Sequence, residues 1–361
     1  MKNRKIIIIT LIIVVIGLMS VYSSSHIWAL YKYDDPFYYI KRQSIFACLG
    51  LIMMWVTSRI DYHIYKKYYR LILGFCFILL ILVLIPGLGV VRGGSRSWFN
   101  LGFFALQPSE LFKIGIIIYG AVFIEKYYYK MKKLKYSLRL LMVVGLGFLL
   151  IMLQPDFGSG VVMVCSVIVM IIVSPFPFRY FFFLAILGII GVVLMIISAP
   201  YRMKRILSFL DPFQDPLGSG FQAIQALYAI GPGGLLGVGF NNSIQKHFYL
   251  PEPQTDFIFA IVAEEFGFLG GVFLISLYLS LLKTVLKLSQ NIKDLFGSLL
   301  MIGIISMIGI QTLINLGVVV GLFPVTGVTL PLMSYGGTSL TITLMSIGIL
   351  INISKSQNCM L

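Results

Sequence analysis

Residues 250–268 read LPEPQTDFIFAIVAEEFGF: an aspartate, Asp256, at the lip of an apolar run, and two adjacent glutamates, Glu264 and Glu265, well inside it. The run continues to about residue 282, long enough to cross a bilayer as a helix, which takes roughly 17 to 25 residues. A spanning helix that carries carboxylates is costly, and such residues face a partner or a wet cavity and are functional candidates by default. This stretch therefore points to a membrane protein with polar business inside it.

The rest of the 361-residue chain agrees. It is 59% hydrophobic and 11% charged, with a mean hydropathy of +0.96, beyond what the core of a soluble domain requires. Ten apolar runs of spanning length recur, near 6–24, 43–58, 70–88, 107–125, 139–154, 158–175, 179–199, 257–282, 297–321 and 331–353. The expected fold is an all-α integral membrane protein of ten transmembrane helices, a single polytopic domain over residues 1–361. With the N-terminus MKNRK inside, 18 of the 28 basic residues fall on the inner side, as the positive-inside rule requires. Both termini are then cytoplasmic. The net charge of +15 is read as a topology signal rather than as a nucleic-acid surface.

Other classes find little support. The first span follows a basic start, as a signal peptide would, but further spans follow at once, so it reads as a retained helix. Cys48, Cys76, Cys165 and Cys359 show no disulfide or metal-ligand spacing, and His26, His63 and His247 are isolated, so no zinc site is expected.

Two loops are long. Residues 86–106 are glycine-rich and carry Arg92, Arg96 and Trp98; residues 200–256 form a large segment on the outer face. Loops of this length in a compact protein are commonly functional. Within the second, FQAIQALYAI sets Gln222 and Gln225 three residues apart on one face of a short re-entrant or interfacial helix. The following GPGGLLGVG supplies tight turns and close backbone approach.

Helical geometry separates the opening carboxylates. At 100° and about 1.5 Å per residue, Glu264 lies about 12 Å deeper than Asp256, and Glu265 falls on roughly the opposite face. Asp256 is either an N-cap of the following helix or a catalytic carboxylate; the glutamates either tie helices together or serve a function. Glu110 and Lys113, in QPSELFKIG, share a helix face and are placed to pair, as a structural link or as part of a pocket for a polar headgroup. Arg202, Lys204 and Arg205 break the charge rule on the outer side and suit phosphate or pyrophosphate oxygens. Asp156 in QPDFGSG, and Ser334 with its neighbours in PLMSYGGTSL, place polar groups at helix boundaries, where irregular backbone needs a wet cavity or protein around it.

Taken together, GSRSWFNLG, QPSELFK, QPDFGSG, DPFQDPLGSGFQAIQALYAIGPGGLLGVGF, LPEPQTDFIFAIVAEEFGFLGG and GLFPVTGVTLPLMSYGGTSL resemble the SEDS family of cell-wall proteins, FtsW, RodA and SpoVE, closest to the FtsW and SpoVE branch. The resemblance spans residues 20 to 353. It implies a peptidoglycan glycosyltransferase that polymerises lipid II into β-1,4 glycan on the outer face of the bacterial cytoplasmic membrane, in division or sporulation, with a class B penicillin-binding protein as partner. It implies Asp256 as the catalytic carboxylate and Glu110 with Lys113 as an intramembrane pair. Substrate contacts are expected from Arg202, Lys204, Arg205, Gln222, Thr255 and Ser334. Many relatives carry His where Gln254 stands here, so no imidazole at that position can take part. The departing diphosphate could be neutralised by these cations or by a divalent cation such as Mg2+. A lipid flippase and a scaffold are the competing readings; in the flippase, Glu110, Lys113 and the deep glutamates would line a path.

Overall fold

The computed structural model describes residues 2–92, 94–102, 104–197, 200–218 and 220–356; several side chains within these, Arg92 and Arg202 among them, lie outside what is described. Ten long helices account for the ten apolar runs. They are α1 (Lys2–Tyr33), α2 (Tyr38–Thr57), α3 (His63–Leu82), α4 (Pro108–Lys126), α5 (Leu134–Leu153), α6 (Phe157–Val173), α7 (Arg179–Ile197), α10 (Ile258–Ser289), α11 (Leu295–Val319) and α12 (Gly337–Ser356). Two short helices, α8 (Pro200–Leu210) and α9 (Phe221–Ile230), belong to the long loop. The protein is a multi-pass membrane protein. Among the described residues, five helices reach spanning length and hydropathy on composition alone; charges such as Glu110, Lys113, Glu125 and Lys126 dilute others, α4 among them.

The helices pack through apolar faces and small residues, the means by which membrane bundles associate. α12 lies along α2, with Gly348 against Thr57 and Met54. α4 is central, its Phe112, Ile116, Ile117 and Ile124 fully buried among α3, α6 and α11.

The 86–106 loop departs from an all-helical outline. It folds into an antiparallel sheet of β1 (Gly89–Arg92), β2 (Ser95–Asn100) and β3 (Ala105–Leu106), in the order β1-β2-β3. Val90 pairs with Trp98, and Phe99 with Leu106. The hydroxyls of Ser95 and Ser97 both donate to the carbonyl of Gln154 at the end of α5, which fixes the sheet over the mouth of the bundle.

α10 is not continuous. Gly267 sits at φ 64°, ψ −164°, a conformation essentially reserved for glycine. Segment 234–239 lies beside this break and pairs with it through main-chain bonds: Val238 N–H to Glu264 O (3.0 Å), Gly239 N–H to Glu265 O (3.0 Å), Phe268 N–H to Gly234 O (2.9 Å) and Leu269 N–H to Leu235 O (3.2 Å). A Cβ on Gly237 or Gly267 would collide with the other strand's backbone. The loop is thus re-entrant, and it supplies the hydrogen bonds the broken helix lacks, which non-helical backbone at membrane depth demands.

Candidate functional site

A cavity of about 740 Å³ opens at the end of the bundle where the sheet lies, and Asp256 is on its wall. The short segment before α10 is held from three sides. Asn315 of α11 donates its amide to the carbonyls of Asp256 (2.8 Å) and Val328 (2.7 Å). Tyr335 N–H donates to Gln254 O (2.8 Å), and Gly327 passes beside the Asp256 carboxylate. Asp256 does not cap α10: the N-cap is Phe257, with no side-chain cap bond. The carboxylate is half-buried. Desolvation first, then repulsion from Glu252, push its pKa up to about 6 against the pull of Arg205.

Glu110 and Lys113 line the same cavity. Their ion pair measures 2.8 Å, and the Lys113 ammonium also reaches Gln311 Oε1 at 3.0 Å; Gln311 in turn donates to the Thr329 carbonyl at 3.1 Å. Both charges are thereby partnered, which offsets the cost of burying them. Asp156 caps α6 through Ser159 N–H (3.2 Å) and receives Gln107 Nε2 (2.9 Å) and Ser109 Oγ (3.0 Å).

Of the other residues singled out in the sequence, Arg205, Gln222 and Thr255 line the cavity. Arg205 is anchored by a 3.1 Å bond to the Val325 carbonyl, and Thr255 Oγ1 donates to Glu252 O at 2.8 Å. Lys204 is exposed on α8 and is not part of the cavity wall; the Arg202 side chain lies outside the described residues. Ser334 is buried away from the cavity wall, where its hydroxyl accepts from Leu330 N–H (2.8 Å) and its carbonyl from Gln43 Nε2 (2.9 Å). It braces the turn ahead of α12 rather than facing a ligand. The lining also includes Lys32, Tyr39, Arg42 and Tyr335, none of which was singled out in the sequence.

Glu264 and Glu265 leave the cavity altogether. Glu264 accepts from the Ser243 hydroxyl and from Ile244 N–H (2.7 Å). Glu265 accepts from Ser23 of α1 and lies 3.7 Å from the buried ammonium of Lys246, which also donates to Asn241 Oδ1 at 2.7 Å. The two carboxylates fasten the re-entrant loop to α10 and α1.

The cavity lining includes the carboxylates Glu110, Asp156, Glu252 and Asp256, of which Glu252 and Asp156 both repel Asp256, and among the described residues no three of His, Cys, Asp and Glu form a metal-holding group. They form no preassembled cage of metal ligands; Mg2+ would be held, if at all, by one or two of them together with the substrate's phosphates. The arrangement offers one carboxylate with a raised pKa, a cation beside it, and a buried ion pair deeper along the wall.

The sequence model of the cell cycle protein family that covers FtsW, RodA and SpoVE matches residues 3–359. Stage V sporulation protein E of Bacillus subtilis (strain 168) is 51% identical over 355 residues, covering 97% of this chain and 96% of its own. A protein of Geobacter sp. (strain M18), named "Probable peptidoglycan glycosyltransferase FtsW", is 38% identical over 351 residues, covering 97% and 95%. Among solved structures, a chain of a peptidoglycan synthase complex, described as coordinating polymerization and crosslinking, superposes with TM-score 0.79 at 31% identity over 98% of this chain and 97% of that one. The rod shape determining protein RodA of Thermus thermophilus gives TM-score 0.70 at 27% identity over 97% and 96%.

Proposed function

The chain belongs to the FtsW, RodA and SpoVE family, and we propose that it is an inverting peptidoglycan glycosyltransferase that polymerises lipid II with Asp256 as general base. The observation that carries this reading is the placement of a carboxylate of raised pKa on the wall of a deep cavity, with Arg205 beside it and Gln222 and Thr255 on the same wall. A base is best poised when its pKa lies near the working pH.

In this mechanism Asp256 accepts the proton of the acceptor sugar's 4-hydroxyl. The freed oxygen attacks the anomeric carbon of the donor, and the bond from that carbon to the diphosphate breaks. The electron pair leaves with undecaprenyl diphosphate, whose charge Arg205 and Lys113 stabilise electrostatically. One displacement turns an α-linked donor into a β-1,4 link, so a single carboxylate suffices, unlike the paired carboxylates of glycoside hydrolases. Glu110 holds Lys113 in place, and Gln222 and Thr255 contact substrate.

The cavity end then faces outward from the bacterial cytoplasmic membrane, an orientation supported by the gathering of basic residues at the other end. A class B penicillin-binding protein is the proposed partner, in division or sporulation wall synthesis; the complex described for the structural relative supports it. The flippase reading is weaker because Glu264 and Glu265, the polar residues that would extend a path, are bonded to the re-entrant loop.

The test is polymerisation of purified lipid II by the reconstituted full-length protein with its transpeptidase. Glycan ladders from wild type and none from Asp256→Asn support the proposal. Wild type that forms no glycan but moves lipid II between leaflets overturns it.

A further inference from the structure

The segment joining α4 to α5, KYYYKMKKLKYSLR over residues 126–139, carries six cations and no carboxylate. A single turn of 3-10 helix, Tyr128–Lys132, is pinned by the fully buried Met131, so Lys126, Lys130, Lys132, Lys133, Lys135 and Arg139 are all displayed at the surface. Glu125 beside them is engaged by Lys66 at 2.7 Å. A cleft of about 380 Å³ opens here, lined by Glu125, Lys126, Tyr127, Tyr128, Tyr129, Lys130 and Leu295; its one carboxylate is the Glu125 that Lys66 neutralises. It lies at the far end of α4 from Glu110, so about 25 Å from the cavity by helix rise.

Two further observations say what would fill it. A ladder of rings, Tyr69, Tyr119, Phe123, Tyr127 and Tyr136, runs past the cleft with centroid spacings of 4.9 to 6.1 Å. The cations rest on it: Arg70 over Tyr69, Lys126 over Tyr127, and Lys130 and Arg139 over Tyr136. Tyrosine belts sit at headgroup level, so these charges are held at that depth instead of reaching into bulk water. On α5, which joins the ladder through Tyr136 and Arg139, the helix face that begins with Lys135 and Arg139 continues as Met142, Leu146, Leu149 and Leu153, all exposed and one turn apart. Cations over an apolar stripe match a phosphate headgroup with its acyl chains; an acidic soluble peptide would use only the upper half.

We propose that this cleft is a binding site for an anionic phospholipid, with the phosphate held by Lys126, Lys130 and their neighbours and the chains lying along α5. Basic pockets of this kind at the membrane surface take acidic headgroups.

The experiment is native mass spectrometry of the full chain released from detergent, titrated separately with cardiolipin, phosphatidylglycerol, phosphatidylcholine and inorganic pyrophosphate. Wild type should retain cardiolipin and phosphatidylglycerol well above phosphatidylcholine. The variant K130Q/K132Q/K133Q should lose that retention by about a hundredfold, at about 1 kcal/mol per charge, whereas K5Q/K283Q/K287Q, which removes equal charge on α1 and α10, and the arginine variant K130R/K132R/K133R should keep it. Melting of lipid-free protein identifies a folding defect, and the arginine variant then decides. Equal loss in both glutamine triples, or equal retention of phosphatidylcholine, overturns the proposal. Pyrophosphate binding as tightly as lipid would assign the cleft to free phosphates, and displacement of bound lipid by hexaglutamate would assign it to an acidic protein; each also overturns it.

Discussion

Replacing Asp256 by Asn should abolish activity and raise stability together. The folded protein holds this carboxyl near pKa 6 against an ordinary 3.8, so the fold favours the protonated form. Each tenfold in proton affinity is worth about 1.4 kcal/mol, which makes the ionised carboxylate cost the folded state up to about 3 kcal/mol above pH 6. The cavity admits water to this half-buried group, so the measured value should fall below that bound. The sign follows from linkage: between pH 4 and 6 the folded state binds more protons than the unfolded, and stability declines as pH rises through that window. Asparagine removes the penalty. Thermal unfolding of the detergent-solubilised protein should show Asp256→Asn melting above wild type at pH 7.5, with the gap closing at pH 4. A gap of the same size at both pH values, or a less stable variant at pH 7.5, would refute the account of a strained carboxylate.

The same carboxyl sets the acid limb of activity: lipid II polymerisation should fall about tenfold for each pH step below 6. Arg205→Gln removes the cation that lowers the Asp256 pKa, so the half-maximal pH of that limb should move upward, apart from any loss of diphosphate stabilisation; an unmoved limb would detach Arg205 from Asp256. Lys246→Met leaves Glu265 buried without its cation and should cost about 3 to 5 kcal/mol, with K246M/E265Q recovering much of it, as chemical denaturation would report. Gly267→Ala forces a Cβ into the backbone of Leu235 and Gly237 and should lower the melting temperature and expose segment 234–239 to hydrogen exchange.

The apolar runs laid out the ten long helices, because a spanning helix is apolar over most of its length even where charges such as Glu110 and Lys113 in α4 interrupt it. The sheet over residues 89–106 was harder to see. Its strands are only two to six residues long, and what fixes them is a carbonyl at Gln154 on a different element. For the carboxylates, the sequence separated Asp256 from Glu264 and Glu265 correctly by helix geometry. It could not tell which side of the bundle held a cavity, since the glutamates' partners, Ser23, Ser243 and Lys246, are recognisable only once the loop has folded back. Gln311 and Asn315 were visible as polar residues one turn apart in an apolar helix, a readable signal. Their tasks were not, because Lys113 is 198 positions from Gln311 and Asp256 is 59 from Asn315.

The interlock at Gly267 also orders events in biogenesis. Segment 234–239 leaves the ribosome before α10, yet the main-chain groups it needs belong to residues 264–269. Until α10 has inserted, that segment has no partners at depth and must wait at the watery boundary. It enters only when the break offers its free N–H and C=O groups, so this part of the protein assembles after synthesis has passed it, as a docking step between helices already in the bilayer. An early arrest of translation before residue 270 should therefore leave a chain with its first helices in place and this loop still open to protease.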